Sequence, residues 1–166
     1  MKKLLSIAVA SIALCSAPSV YAQDWTAPPN NTTYTFSSSN VSVQKGTGLQ
    51  LTCFMSIDIV RDGSGVVTAQ NPVMTGGFFN LCNTVVFQNT PWTVTNVGTN
   101  LWELSGIYVD TTVTAGDCQG KLVATFSAGP PETLTVNTGF TTPPRSTLEE
   151  VDPGTGDCKI SGTLSR

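Results

Sequence analysis

The chain has 166 residues, with 8 Lys or Arg against 11 Asp or Glu and no histidine. The acidic balance argues against a nucleic-acid partner, and the missing histidine removes the commonest general base, the commonest metal ligand and every Ser-His or Cys-His nucleophile arrangement. Only 11% of residues are charged, while threonine occurs 25 times between Thr26 and Thr163; its stiff, branched side chain favours strands over helices, so composition predicts an all-β protein.

Residues 1–22 read as an export signal. Lys2-Lys3 is followed by the apolar run Leu4 to Ala13 and by Val20-Tyr21-Ala22, with cleavage expected after Ala22. The run is too short to cross a bilayer of roughly 30 Å, and no later stretch approaches about 18 continuous apolar residues, so the mature chain is expected to carry no transmembrane segment. Cys15 follows Leu14, where lipoprotein processing requires a small side chain, which makes lipid attachment the weaker reading. Removing 22 residues leaves 144, one ordinary domain, and removing Lys2 and Lys3 leaves 6 basic groups against 11 acidic, a net charge of −5.

Four cysteines remain, Cys53, Cys82, Cys118 and Cys158, and an even number in an oxidising, extracellular compartment predicts two disulfides. Their gaps of 29, 36 and 40 positions lack the close pairs of a zinc site. Three pairings are open. Cys53 with Cys82 and Cys118 with Cys158 is favoured because it staples each half of the chain locally.

Along the mature chain, residues 23–31 form a polar, proline-interrupted lead-in read as a flexible arm, and residues 32–166 form a single domain. The clearest strand places Leu49, Leu51, Cys53, Met55, Ile57 and Ile59 on one face and Gln50, Thr52, Phe54, Ser56 and Asp58 on the other. Arg61-Asp62-Gly63-Ser64-Gly65 supplies turn chemistry for a hairpin into Val66 to Ala69. Met74 to Phe87 is a second apolar region, interrupted by a bulge or turn at Gly76-Gly77. Pro91 to Thr95 is another strand; Leu101 to Val109 reads as a strand buried on both sides, with Trp92 and Trp102 in the core. Further alternating sets centre on Leu122, Leu134 and Ile160. Eight or nine strands without a helix, separated by turns about every dozen residues, predict an antiparallel two-sheet β-sandwich of immunoglobulin-like or Greek-key type.

The irregular stretch from Gly139 to Asp157 gathers Glu149, Glu150, Asp152 and Asp157. It could offer oxygen ligands to calcium, but the spacing matches no EF-hand, and a solvated acidic loop is the better reading. Asp110 and Asp117 are read as turn formers. No nucleophile elbow, phosphate-cradling loop or metalloprotease motif is present, so neither an enzyme, a metal site nor a cofactor is expected. Phe78 and Phe79 are adjacent, and in extended backbone adjacent side chains point to opposite faces, so one ring should leave the core unless a bulge covers both. Phe54 lies on the polar side of its strand. Exposed together, Phe54, Phe78 and Phe79 would form an apolar contact surface.

Leu51-Thr52-Cys53, Asp62-Gly63-Ser64-Gly65, Pro91-Trp92-Thr93-Val94, Ser105-Gly106-Ile107, the isolated Cys118 and the terminal Cys158-Lys159-Ile160-Ser161-Gly162-Thr163-Leu164, taken in order behind a signal, resemble the PraB-type family of secreted activators of alkane oxidation. The resemblance spans nearly the whole mature chain; the acidic loop before Cys158 is longer than it leads one to expect. It implies an extracellular, non-catalytic protein that promotes growth on long-chain alkanes by helping cells contact or take up hydrocarbon, and it brings no catalytic residues. The expected partner is therefore hydrocarbon or another apolar surface. The alternative is self-association as a subunit of a surface or biofilm-matrix fibre, with the arm and the Thr32 to Val43 strand added to a neighbour's sheet edge.

Overall fold

The structure, a computed structural model, describes residues 28–46, 48–111, 116–138, 147–151 and 157–166. The signal, most of the arm and most of the acidic loop lie outside these residues. Among them are ten strands and one short helix: β1 (Thr32–Lys45), β2 (Leu51–Arg61), β3 (Val67–Thr75), a 3₁₀ helix (Phe78–Thr84), β4 (Val85–Gln88), β5 (Trp92–Gly98), β6 (Leu101–Thr111), β7 (Asp117–Ser127), β8 (Thr133–Asn137), β9 (Thr147–Val151) and β10 (Cys158–Ser165).

All pairings are antiparallel. They run β6-β5-β3-β2-β1-β10-β8-β7, and β7 then pairs back onto β6, so eight strands close a ring. The expected two-sheet sandwich is therefore corrected to a closed barrel. Strand periodicity does not separate the two architectures, because each buries alternate residues and exposes the rest.

Closure requires the strands to coil, and register shifts in the ladders supply the bends. One lies between Ser38 and Val41 of β1, so that Phe36 and Val41, of opposite parity, both face inward. Another lies between Ser105 and Ile107 of β6, where Gly106 has φ +81°. It brings Ile107 to the side of Trp102 and Leu104, and all three are buried. The reading of β6 as buried on both sides is corrected accordingly: its interleaved residues Glu103 and Ser105 are only partly covered.

Aromatic rings plug the end of the barrel where the ring closes. Trp102 stacks on Phe126 with centroids 4.4 Å apart and planes 9° from parallel, and Phe36 meets Phe126 edge-on at 6.4 Å. Trp92 packs edge-on against Phe87 and donates its indole N–H to the Gln88 carbonyl at 2.9 Å, so its polar group is satisfied in the core. Outward positions such as Thr33, Thr35, Thr52, Thr93 and Thr125 are exposed. A polar outside around an apolar inside is the reverse of a membrane-spanning barrel.

The β2–β3 connection shows how turn chemistry is fixed. The Asp62 carboxylate accepts hydrogen bonds from the Ser64 hydroxyl at 2.7 Å, the Ser64 N–H at 2.9 Å and the Val66 N–H at 2.8 Å. These bonds, that of the Ser64 hydroxyl foremost, hold its pKa below the ordinary 3.8. A depressed carboxyl stabilises the fold above its unfolded value, and that contribution is lost as pH falls through the folded one. An NMR titration of Asp62 is expected to give a midpoint below 3.8, and Ser64→Ala should move it upward. Gly106 has nothing within 4 Å of an added Cβ, so Gly106→Ala tests backbone conformation alone. It should cost about 1–3 kcal/mol in denaturant unfolding.

Candidate functional site

The ring is complete at one end only. Toward the other, β4 continues the side of β6 that β5 occupies nearer the plug, pairing Val85 to Gln88 with Thr111 to Tyr108. In the same way β9 takes over from β8 beside β7, pairing Leu148 with Gly120 and Glu150 with Cys118. Neither β4 nor β9 has a second strand partner among the described residues. The wall opens on both sides of the β6–β7 pair, and the mouth of the barrel lies there.

Each disulfide fastens one side of this mouth. Cys53–Cys82 ties β2 to the 3₁₀ helix that stands between β3 and β4. Cys118–Cys158 ties the start of β7 to the start of β10. All four cysteines are buried.

Between these fastenings lies a cavity of about 350 Å³, within the range of small-molecule sites and at a barrel mouth, a common place for them. Leu51, Met74, Leu81, Val85, Phe87, Val109, Leu148 and Ile160 line it, together with the Cys118–Cys158 bridge. Its polar rim includes Lys45, Lys159 and Thr111. Lys45 Nζ donates to Thr111 Oγ1 at 2.8 Å and also to the Gly116 carbonyl, which fixes the ammonium at the opening. Sequence reasoning did not find this site. Its lining comes from strands spread between Val43 and Ile160, and no local spacing signals it.

The 3₁₀ helix carries the predicted phenylalanines beside the cavity, with Leu81 of the same helix in the cavity wall. The expectation that Phe78 and Phe79 point to opposite faces presumes extended backbone and is corrected here. Gly76 and Gly77 have φ of +79° and +74°, Phe79 and Asn80 have φ of +51° and +60°, and the chain coils instead of continuing as a strand. Both rings face solvent, Phe78 62% and Phe79 83% exposed, with centroids 4.1 Å apart.

Left-handed backbone at non-glycine residues costs of order 1–3 kcal/mol each and persists only where the surroundings enforce it. Here the Cys53–Cys82 bridge, the Asn80 N–H on the Gly77 carbonyl, the Cys82 N–H on the Gly76 carbonyl and the Gly76 N–H on Asn83 Oδ1 do so. Gly77 is sterically required, because a Cβ there would lie 2.3 Å from Cys82 Sγ.

Phe54, 40% exposed, stands on the outer face of β2 opposite Thr75, and Val73, 47% exposed, lies diagonally across on β3. Phe54 is thus near the loop's root, but no ring contact joins it to the Phe78–Phe79 pair among the described residues. Val73 was not singled out in the sequence because it is one valine among many. Leu49, expected on the inward face of the long strand, precedes β2 and is instead exposed at the cavity rim.

Among the described residues, no group of three or more Cys, Asp or Glu could hold a metal ion, and no helix is long and apolar enough to cross a membrane. The candidate calcium loop falls mainly outside the described residues. Asp117, read as a turn former, accepts the Tyr108 hydroxyl, and this bond raises the tyrosine pKa above its ordinary value.

No curated protein and no solved structure shows a significant match to the chain. The family model described as alkane oxidation protein activator, PraA/PraB-like, matches residues 1–166. A barrel with an apolar mouth and two buried disulfides thus comes from a chain that belongs, over its whole length, to the PraA/PraB-like family of alkane oxidation activators.

Proposed function

We infer that this protein is exported and promotes alkane use without catalysing a reaction, by adsorbing to hydrocarbon through the loop at its barrel mouth. The observation that carries this reading is the Phe78–Phe79 pair, held out into solvent on a loop whose backbone is anchored by a disulfide. A ring on a rigid support loses little conformational freedom on contact, so most of its apolar area becomes binding energy. The two rings offer on the order of 250 Å² of exposed apolar surface. Removing that surface from water is worth roughly 6 kcal/mol before the cost of immobilising the molecule. Phe54 and Val73 are further exposed apolar side chains on the outer faces of β2 and β3. Export to an oxidising compartment agrees with the two disulfides.

The fibre reading draws less support. β1, its intended donor strand, is paired on one side with β2 and on the other with β10. Donating it to a neighbour would break the ring.

Partition of the oxidised mature protein between buffer and dispersed long-chain alkane droplets tests the proposal. Saturable adsorption is expected, and Phe78→Asp with Phe79→Asp should weaken it at least about tenfold with the fold intact. Wild-type protein that stays in the buffer at every concentration would overturn the proposal. Gly77→Ala provides an independent check. It keeps both rings but forces the loop off Cys82, and is expected to reduce adsorption and thermal stability together, whereas Gly76→Ala, with open space around the added Cβ, should lose only about 1 kcal/mol.

A further inference from the structure

The cavity is distinct from the exposed loop and has its own chemistry. Its lining is mainly apolar, with Val, Leu and Ile side chains outnumbering the polar ones and joined by one aromatic ring, Phe87, and one thioether, Met74. Such a wall suits a saturated chain, because it presents apolar contact at every depth and few groups to orient a polar ring. A methylene fills about the same space as a water molecule, roughly 30 Å³, so 350 Å³ holds on the order of ten carbons.

The rim departs from the charge of the whole. The chain is acidic, 11 carboxylates to 8 cations, yet the described residues lining the cavity include Lys45 and Lys159 and no carboxylate. They lie on adjacent strands but on opposite faces: Lys45 pairs with buried Cys158 and shares its inward face, whereas Lys159 pairs with Gln44 on the outward face. Lys45 is positioned by Thr111 and Gly116, and Lys159 is exposed. Apolar depth under a cationic rim is complementary to a single alkyl chain that ends in a carboxylate.

We propose that the barrel mouth binds one medium-chain alkyl carboxylate, its tail among Leu51, Met74, Val85 and Val109 and its head group at Lys45. The proposal rests on the hydrocarbon reading only for its choice of an unbranched tail. It differs in stoichiometry: one molecule enters each barrel, whereas the loop adsorbs to an extended surface.

Isothermal titration of the oxidised mature protein with octanoate, nonanoate, decanoate and dodecanoate, each below its micelle concentration, tests it. One-to-one binding is expected. Affinity should rise about fourfold per added carbon up to about ten carbons and then level off. Decanoate should bind roughly two- to fivefold more tightly than decanol, and Lys45→Gln should reduce this preference without changing decanol affinity. Val109→Phe, which fills the cavity, should weaken every ligand; Val85→Phe repeats that arm if the first variant fails to fold.

Absence of saturable binding would overturn the proposal, as would affinity that keeps rising with chain length or that is unaffected by filling the cavity. Equal binding of decanol and decanoate would overturn the head-group assignment. The Phe78→Asp, Phe79→Asp variant separates the two readings. Loss of droplet adsorption with decanoate binding retained supports the cavity site, while loss of decanoate binding in that variant transfers the ligand to the loop and sinks it.

Discussion

The ladder between β6 and β7 converts an open sheet into a ring, and the rest of the molecule is organised by where that ring stops. At Leu101 and Trp102, opposite Thr125 and Ala124, the β6–β7 pair is flanked by β5 on one side and β8 on the other. From Ser105 onward the flank of β7 passes to β9, and from Tyr108 onward that of β6 passes to β4, and among the described residues neither β4 nor β9 pairs with a second strand. Two sides of the wall would be free to separate there, and each carries a disulfide. The bridges close loops of 29 and 40 residues, each worth about 2–4 kcal/mol through restriction of the unfolded chain. Their placement adds a local effect, since each joins two elements that no ladder pairs directly, β2 with the 3₁₀ helix and β7 with β10.

The same economy explains how a small barrel tolerates an unfilled mouth. Stability comes from the plugged end, where Trp102, Phe126, Phe36, Leu134 and Leu164 are almost completely buried. Large rings in direct contact provide the dispersion and burial that a domain of this size needs. A sealed void as large as the mouth would be heavily destabilising, but water reaches an open one, and the surrounding walls are held by bridges instead of by mutual packing. Separation of a packed end from a bridged end lets the loop at Phe78 and Phe79 keep strained backbone without threatening the core.

Much of the barrel was legible in the sequence, and the illegible parts share a cause. Step-two alternation identified β2 residue by residue: Cys53, Met55, Ile57 and Ile59 face inward as expected. Trp92 and Trp102 are in the core, and the Asp62 turn joins β2 to β3. Alternation fails wherever the backbone leaves the regular pleat. The shifts at Val41 and Ile107 reverse which parity is buried, and the turn at Gly76-Gly77 replaces an expected strand by a coil that exposes both phenylalanines. Ring closure is likewise invisible to a local pattern: β6 and β7 are consecutive and pair as a hairpin, but the ring also requires β1 to meet β10 in register, more than 100 residues away.

The two ends of the barrel also differ in what substitutions can reach. Residues of the plug touch several strands at once, so a change at Trp102 or Phe126 is felt throughout the ring. Residues of the mouth, such as Leu49, Phe79 and Lys159, face solvent on at least one side. Their chemistry can vary while the fold is held by the plug and the bridges. Apolar contact requires the exposure of groups that folding would otherwise bury, and this arrangement permits it: the exposed rings sit on one of the two parts of the wall where the ladder stops and a disulfide stands. On the proposed function, rigidity at that place would let the rings meet an apolar partner with little further ordering, and it also keeps them from collapsing into the neighbouring cavity, where Leu81 already forms part of the wall.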